Sequence, residues 1–413
     1  MLVSRLTGAA AAFAVVLLLA KGLSQAEVGV VLTALAAAVL GEVAATLGQD
    51  AVAVQVIPQA LGAGDRARAS AFARALGRQV AWGAPLAGAA AGLALWPLSG
   101  GAASPAAMAL TAGVVVGMTS LRVLSRLVMA AGGIALGAVP LFVVRPVLWL
   151  ASVGTLLSAD ALSVETALAA AAGASLLTAL FQAVVGARRL GFVREAPSAP
   201  DPDWARSGRQ LILPGLMVGE LPNLVTLCAS ALLAAPQVAI LGVALRVAGL
   251  VALGTRSLIA ALGPRLSAAW AASGPAEVQR VGRAVPMLAA PATLAVVALV
   301  WAFAVPLLDV FGEGYREGAW CLRVLVLMPL VTACAGPSLL VLTAAGRAAE
   351  GGRAAWPAVA ALALFSLGGA AYGTLGVAFG VLAAILVWEA LLIVSLRRAT
   401  GTSLWLPFGP RAP

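Results

Sequence analysis

Twelve apolar stretches, most of them about 20 residues long, recur along this 413-residue chain with only short loops between them. An α-helix rises about 1.5 Å per residue, so each stretch is long enough to cross a hydrocarbon core roughly 30 Å thick. Water is absent from that core, and an open chain there satisfies its own N–H and C=O groups only as a helix. The expected spans are 7–23, 28–48, 79–97, 105–121, 134–157, 164–187, 211–234, 238–262, 284–308, 319–344, 355–373 and 375–396. The last two are divided only by the turn signal Tyr372-Gly373-Thr374. Composition agrees: 62% of residues are hydrophobic and 10% charged, against about 45–50% and about 25% in soluble domains. The expected fold class is an all-α polytopic membrane protein of about twelve transmembrane helices, with the lipid bilayer as its constant partner.

The formal charge of +10 raises nucleic acid as a partner. The distribution of the cations argues otherwise. Of the 26 basic residues, Lys21, Arg316 and Arg323 lie on one side and Arg145, Arg246 and Arg256 fall inside spans, and the other twenty lie in the loops and tail of the opposite side. Short-loop Lys/Arg bias marks the cytoplasmic face. Both termini are therefore expected in the cytoplasm, in keeping with an even number of spans, and no nucleic acid is expected. Histidine is absent, and Cys228, Cys321 and Cys334 lie in or beside apolar runs without metal-ligand spacing. No catalytic triad, metalloprotease or phosphate-loop motif occurs, and the loops are too short for a soluble active site. An enzyme, a metal site and a cofactor are not expected.

Two basic loops look alike. Pro58 to Arg78 and Pro264 to Arg283 both mix arginine with apolar residues at helical spacing, as in Phe72, Leu76 and Val80. Each is expected to be an amphipathic helix lying on the membrane surface, with Arg74 and Arg78 at headgroup level. Each follows the second span of its half, which suggests an internal repeat. The expected organisation is a six-helix bundle over 1–187, a flexible cytoplasmic linker over 188–209, a second six-helix bundle over 210–397 and a tail over 398–413.

Ionisable groups inside spans are costly and mark candidate sites. Arg145 is the sharpest, because it lies too deep to snorkel easily and precedes Pro146, which interrupts the helical ladder. It requires a wet cavity or an acid partner. Arg246 lies inside the eighth span, and Arg256 nearer its end. Arg122 and Arg126 fall at a span mouth. Glu42, Glu220 and Glu389 are the acids inside spans, each able to neutralise an arginine or carry a coupling proton. Glu220 precedes Pro222, a second helix break. The fork geometry of arginine suits phosphate oxygens, so Arg145, Arg246, Arg256 and Arg122 are the candidate substrate-binding set.

Two stretches carry a resemblance. The first runs from Arg5-Leu6-Thr7-Gly8 through Gly22-Leu23-Ser24-Gln25-Ala26-Glu27-Val28-Gly29 to Leu47-Gly48-Gln49-Asp50. It resembles the opening of polysaccharide exporters. The second is Leu308-Asp309-Val310-Phe311-Gly312-Glu313-Gly314-Tyr315 followed by Leu322-Arg323-Val324-Leu325, whose Phe-Gly-x-x-Tyr run is similar to a signature of the same group. Val243-Ala244-Leu245-Arg246, Pro264-Arg265-Leu266 and Val144-Arg145-Pro146 extend the match. The chain resembles the MOP (multidrug/oligosaccharidyl-lipid/polysaccharide) superfamily, and within it the Wzx-type O-antigen and exopolysaccharide flippases. The resemblance implies a MATE/MOP-like pair of bundles and alternating access around a central cavity. It also implies an undecaprenyl-pyrophosphate-linked oligosaccharide as substrate, a bacterial inner-membrane location, and a polysaccharide polymerase and glycosyltransferases as partners. Val28 stands where the group has an aromatic. The first span carries no acid, which argues against a cation-coupled drug antiporter of the same fold; a scaffold without transport is the other alternative.

Overall fold

The computed structural model describes residues 2–194, 196–197, 199, 201–401 and 404, and among them every regular element is helical. Most of the expected tail, with Glu195, Ser198 and Pro200 of the expected linker, lies outside the described residues. Contacts divide the chain into two compact units, Met1–Ala239 and Ile240–Pro413.

The first unit begins with α1 (Leu2–Gly22), α2 (Gln25–Thr46) and α3 (Gln49–Gly62). Ser24 starts α2 through a capping box with Glu27, satisfying N–H groups that a helix end leaves open. Leu47 and Gly48 then adopt left-handed backbone, at φ +47° and +74°, and redirect the chain into α3. Next come α4 (Arg66–Leu98), α5 (Pro105–Ala130), α6 (Ile134–Val139), α7 (Arg145–Ser158) and α8 (Val164–Gly186). A π-helical turn, Pro140–Val144, joins α6 to α7 as one membrane-length rod. Likewise α9 (Asp203–Gly215) runs through a π turn, Leu216–Glu220, into α10 (Leu221–Ser230). The long α11 (Ala235–Ser273) starts in the first unit and continues into the second.

The second unit continues with α12 (Pro275–Ala302), α13 (Ala304–Asp309), α14 (Ala319–Leu325), α15 (Leu327–Ala335), α16 (Ser338–Ala344), α17 (Ala348–Gly369) and α18 (Gly373–Thr400). The expected single span over 319–344 is thus three short helices, since Pro329 and Pro337 lack the N–H that a continuous helix needs. Residues Val28–Ala38 of α2 and Ile240–Ala248 of α11, apart from Arg246, are buried on nearly all sides. A helix apolar all round takes such a central place.

Among the described residues, eleven stretches are long and apolar enough to cross a membrane, and the last of them, Ala348–Thr400, is two helices. The turn between α17 and α18 falls at Ala370–Tyr372 and Gly373 (φ +64°), where the sequence signalled it. The chain is an all-α polytopic membrane protein. The antiparallel α17–α18 pair closes on glycine: a Cβ added at Gly376 would stand 1.9 Å from the Gly369 carbonyl oxygen. Small residues at such crossings let helix backbones touch where lipid offers no hydrophobic driving force. Gly376→Val is therefore expected to force the pair apart and lower thermal stability in detergent by about 1–3 kcal/mol, the usual cost of overpacking. Gly368→Val, where an added Cβ meets nothing within 4 Å, should leave stability unchanged; equal effects of the two would refute the packing account.

The surface-helix expectation needs correcting at both loops. Residues 66–78 are the first turns of α4, and residues 264–273 continue α11. Phe72, Leu76 and Val80 face protein: they pack in a buried cluster with Ile57, Phe192 and Trp204. Phe72 meets Trp204 edge-on, with ring centroids 5.0 Å apart. Arg74, expected at headgroup level, donates from Nε and Nη2 to the Val193 carbonyl at 3.0 and 2.8 Å. The 188–209 segment is accordingly pinned on both sides, by the turn Gly191–Arg194 and by Trp204, rather than free.

Candidate functional site

The first unit gathers most of its buried charge at one place. On α5, Arg122 and Arg126 are one helical turn apart and share a face. Arg122 Nη1 donates to Glu42 Oε1 of α2 at 2.6 Å, Nε lies 3.2 Å from Asp50 Oδ2 of α3, and Nη2 reaches Glu220 Oε1 at 3.4 Å. One guanidinium therefore ties three carboxylates from three separate segments. Arg126 stands 4.0 Å from Asp50, beyond hydrogen-bond reach. Glu42 and Asp50 are buried, while Arg122 and Glu220 are half-buried.

Local sequence puts each group there. The left-handed pair at Leu47 and Gly48 turns Asp50 back towards α5. Glu220 ends the π turn that connects α9 to α10. Pro214 and Pro222, which donate no backbone hydrogen bond, bracket that turn. Asn223 Nδ2 donates to Glu220 Oε2 at 3.0 Å and so fixes the carboxylate that Arg122 touches.

Arg145 follows the other π turn, where its N–H bonds to Pro140 O, five residues back. Pro146 offers no N–H to Phe142 O four residues earlier. That carbonyl faces α1, where a Cβ added at Gly8 would stand 1.9 Å from it. The Arg145 guanidinium donates from Nε to Ser175 Oγ at 2.9 Å, and the Ser175 hydroxyl in turn donates to Ala171 O at 2.8 Å. Its Cζ lies 6.0 Å from the centre of the Trp149 ring, one turn along α7. Among the described residues no carboxylate is within 4.0 Å of Arg145, and its two Nη groups have no protein partner. The buried Trp149 indole N–H also has no acceptor among them.

Of the candidate residues, Arg122, Glu42 and Glu220 thus come together, and Arg145 stands apart from carboxylates. In the second unit, Arg246 is half-buried and Arg256 exposed along α11. Glu389 of α18 is 5% exposed. Sequence reasoning missed Asp50, Ser175 and Asn223 as members of the site. An acid within apolar sequence could have flagged Asp50; nothing distinguishes Ser175 from other serines in spans.

No family model matches the sequence, and no curated protein does. Solved structures do. The chain is similar to an inward-facing multidrug resistance MATE family transporter of the MOP superfamily at 16% identity, TM-score 0.66, covering 96% of this chain and 98% of that one. It is similar to a Vibrio cholerae MATE transporter, VcmN, in the bent form, at 16% identity and TM-score 0.61, over 96% and 98% of the two chains. A MATE structure in complex with MaL6 matches at 15% identity and TM-score 0.66, over 96% and 94%. The chain is a multi-pass membrane protein with the fold of the MATE transporters of the MOP superfamily.

Proposed function

We propose that this protein is a transporter that moves a polyprenyl-pyrophosphate-linked oligosaccharide across the bacterial inner membrane by alternating access. The observation that carries this reading is Arg145: a guanidinium inside a span with two donors aimed at no protein acceptor and no carboxylate to neutralise it. A pyrophosphate presents the oxygens that such a fork pairs with. The unmatched Trp149 N–H beside it adds one more donor. Arg246, from the other bundle, is the proposed second ligand, with Arg256 and Arg122 nearer the mouth. The moving halves would be the bundles over 1–187 and 210–397, joined by the cytoplasmic segment 188–209. Polysaccharide polymerase and glycosyltransferases are the proposed partners. Surface glycan measured against membrane abundance in Arg145 variants is the test.

One observation favours a second reading, a small-molecule antiporter. Glu42, Asp50 and Glu220 converge on Arg122, and such acids can carry coupling protons. The two readings separate on the sign of the ligand, since an anionic headgroup needs Arg145 and a cationic drug does not. A scaffold without transport would have every internal charge paired, and Arg145 speaks against it.

The proposed orientation puts both termini in the cytoplasm. Reporter fusions after Ala199 and Gly351 should read cytoplasmic, and one after Ser158 periplasmic. A periplasmic signal at Ala199 would overturn the topology.

A further inference from the structure

A groove of about 670 Å³ runs along the second unit between α12 and α14–α15, over Leu294, Val297, Ala298, Leu327 and Leu330. It opens outward: Leu294 is 54% exposed, and two tryptophans at its end, Trp301 and Trp320, are 41% and 59% exposed. That end is where α12 stops, at Ala302, and where α14 starts, at Ala319. Tryptophan collects at membrane–water boundaries, where its ring lies among acyl chains and its N–H reaches polar groups. The groove therefore descends from a boundary into the hydrocarbon layer. Leu294 is eight residues from Ala302, which at about 1.5 Å per residue is a depth of roughly 12 Å.

Arg323 closes the boundary end, and the fold holds it there. Its Nε donates to Trp301 O at 3.2 Å, and Trp301 Nε1 donates back to Arg323 O at 2.8 Å. Its Cζ sits 4.6 Å from the centre of the Trp320 ring, a cation–π distance. The two indoles meet edge-on at 6.4 Å. No carboxylate among the described residues lies within 4.0 Å of Arg323; Asp309 is bound to Arg316 instead. Both Nη groups of a pre-set fork are therefore left for a ligand at the lip of an apolar trough.

We infer that this groove is a binding site for an anionic phospholipid of the bilayer, its phosphate on the Arg323 fork and one acyl chain lying over Ala298 towards Leu330. Charge complementarity selects the headgroup, and the apolar floor selects a ligand with a tail. A free phosphate would gain the first and not the second. The site lies wholly in the second unit and does not depend on the transport reading.

The test uses the purified full-length chain, delipidated in detergent and titrated with phosphatidylglycerol or phosphatidylcholine of equal chain length, with bound lipid counted by native mass spectrometry. Phosphatidylglycerol is expected to bind one high-affinity site more than phosphatidylcholine does. Arg323→Gln should weaken that site about tenfold, and Arg323→Lys less, because lysine keeps the charge and loses the fork. Ala298→Trp leaves Arg323 in place and fills the trough, so it should abolish the same site and keeps the test alive if the Arg323 variants do not fold. Inorganic phosphate alone should not displace the lipid. Equal binding of phosphatidylcholine, undiminished binding by Arg323→Gln or by Ala298→Trp, or displacement by inorganic phosphate would each overturn the assignment.

Discussion

Replacing Arg145 with alanine is expected to abolish glycan export while the protein still reaches the membrane at its normal level. Arg145 lacks a carboxylate partner, so its removal leaves no buried acid stranded. It also relieves the chain of a charge that costs about 2.5–3.5 kcal/mol at mid-span on insertion scales. Stability should hold or rise. On the proposed function, what is lost is the fork for a pyrophosphate. Arg145→Lys should restore export only in part, since an ammonium is a point charge without the bidentate geometry. The measurement is surface glycan per unit of membrane protein for the wild type and both variants. Full export by Arg145→Ala would end the pyrophosphate-site reading. Loss of export that merely follows loss of protein, and that is rescued by removing a buried acid of the same unit such as Glu42, would make Arg145 a structural charge instead.

Arg122 should behave in the opposite way. Its removal strands Glu42, Asp50 and Glu220 in a buried site, and breaking a buried ion pair by deleting one partner typically costs about 3–5 kcal/mol. Arg122→Ala is therefore expected to lower the thermal midpoint of the purified protein and its level in the membrane together. Adding Glu42→Gln to that variant should recover part of the loss, because Glu42 makes the shortest of the three contacts. Glu220→Gln alone should cost far less, since its contact to Arg122 is the longest at 3.4 Å and Asn223 still holds the side chain. Wild-type stability in Arg122→Ala would show that the cluster is solvated and carries no structural weight.

The rods were legible because each is long, apolar and set off by arginine, glycine or proline. Even the weakest division, at Tyr372 and Gly373, falls where the sequence marks it. Pro146 and Pro222 mark where the α ladder is disturbed, because a missing N–H is a property of the residue itself; the expected breaks are π turns within continuous rods. Partnership was not. Glu42 and Arg122 are separated by 80 positions, and nothing local in either tells which carboxylate meets which guanidinium. Asp50 joins them only because two left-handed residues redirect the chain just before it. The stripe of Phe72, Leu76 and Val80 is apolar as its spacing indicates, and protein rather than lipid covers it. Periodicity says that a face must leave water, and it does not say whether lipid or Trp204, far along the chain, takes the place of that water.

The wide turns at Pro140–Val144 and Leu216–Glu220 have a consequence for movement. Each holds one residue more than an α turn. Drawing that residue into α geometry rotates everything beyond it by about 100° and advances it by about 1.5 Å along its own axis. The segment then turns as a screw about its own axis, where a kink would swing it sideways. Arg145 is the first residue past one such turn and Glu220 the last within the other. Such a change would re-aim either charge, taking Glu220 off Arg122 or Arg145 off Ser175, and would turn the buried Trp149 and Val153 of α7, or Leu221 and Val225 of α10, away from their present neighbours.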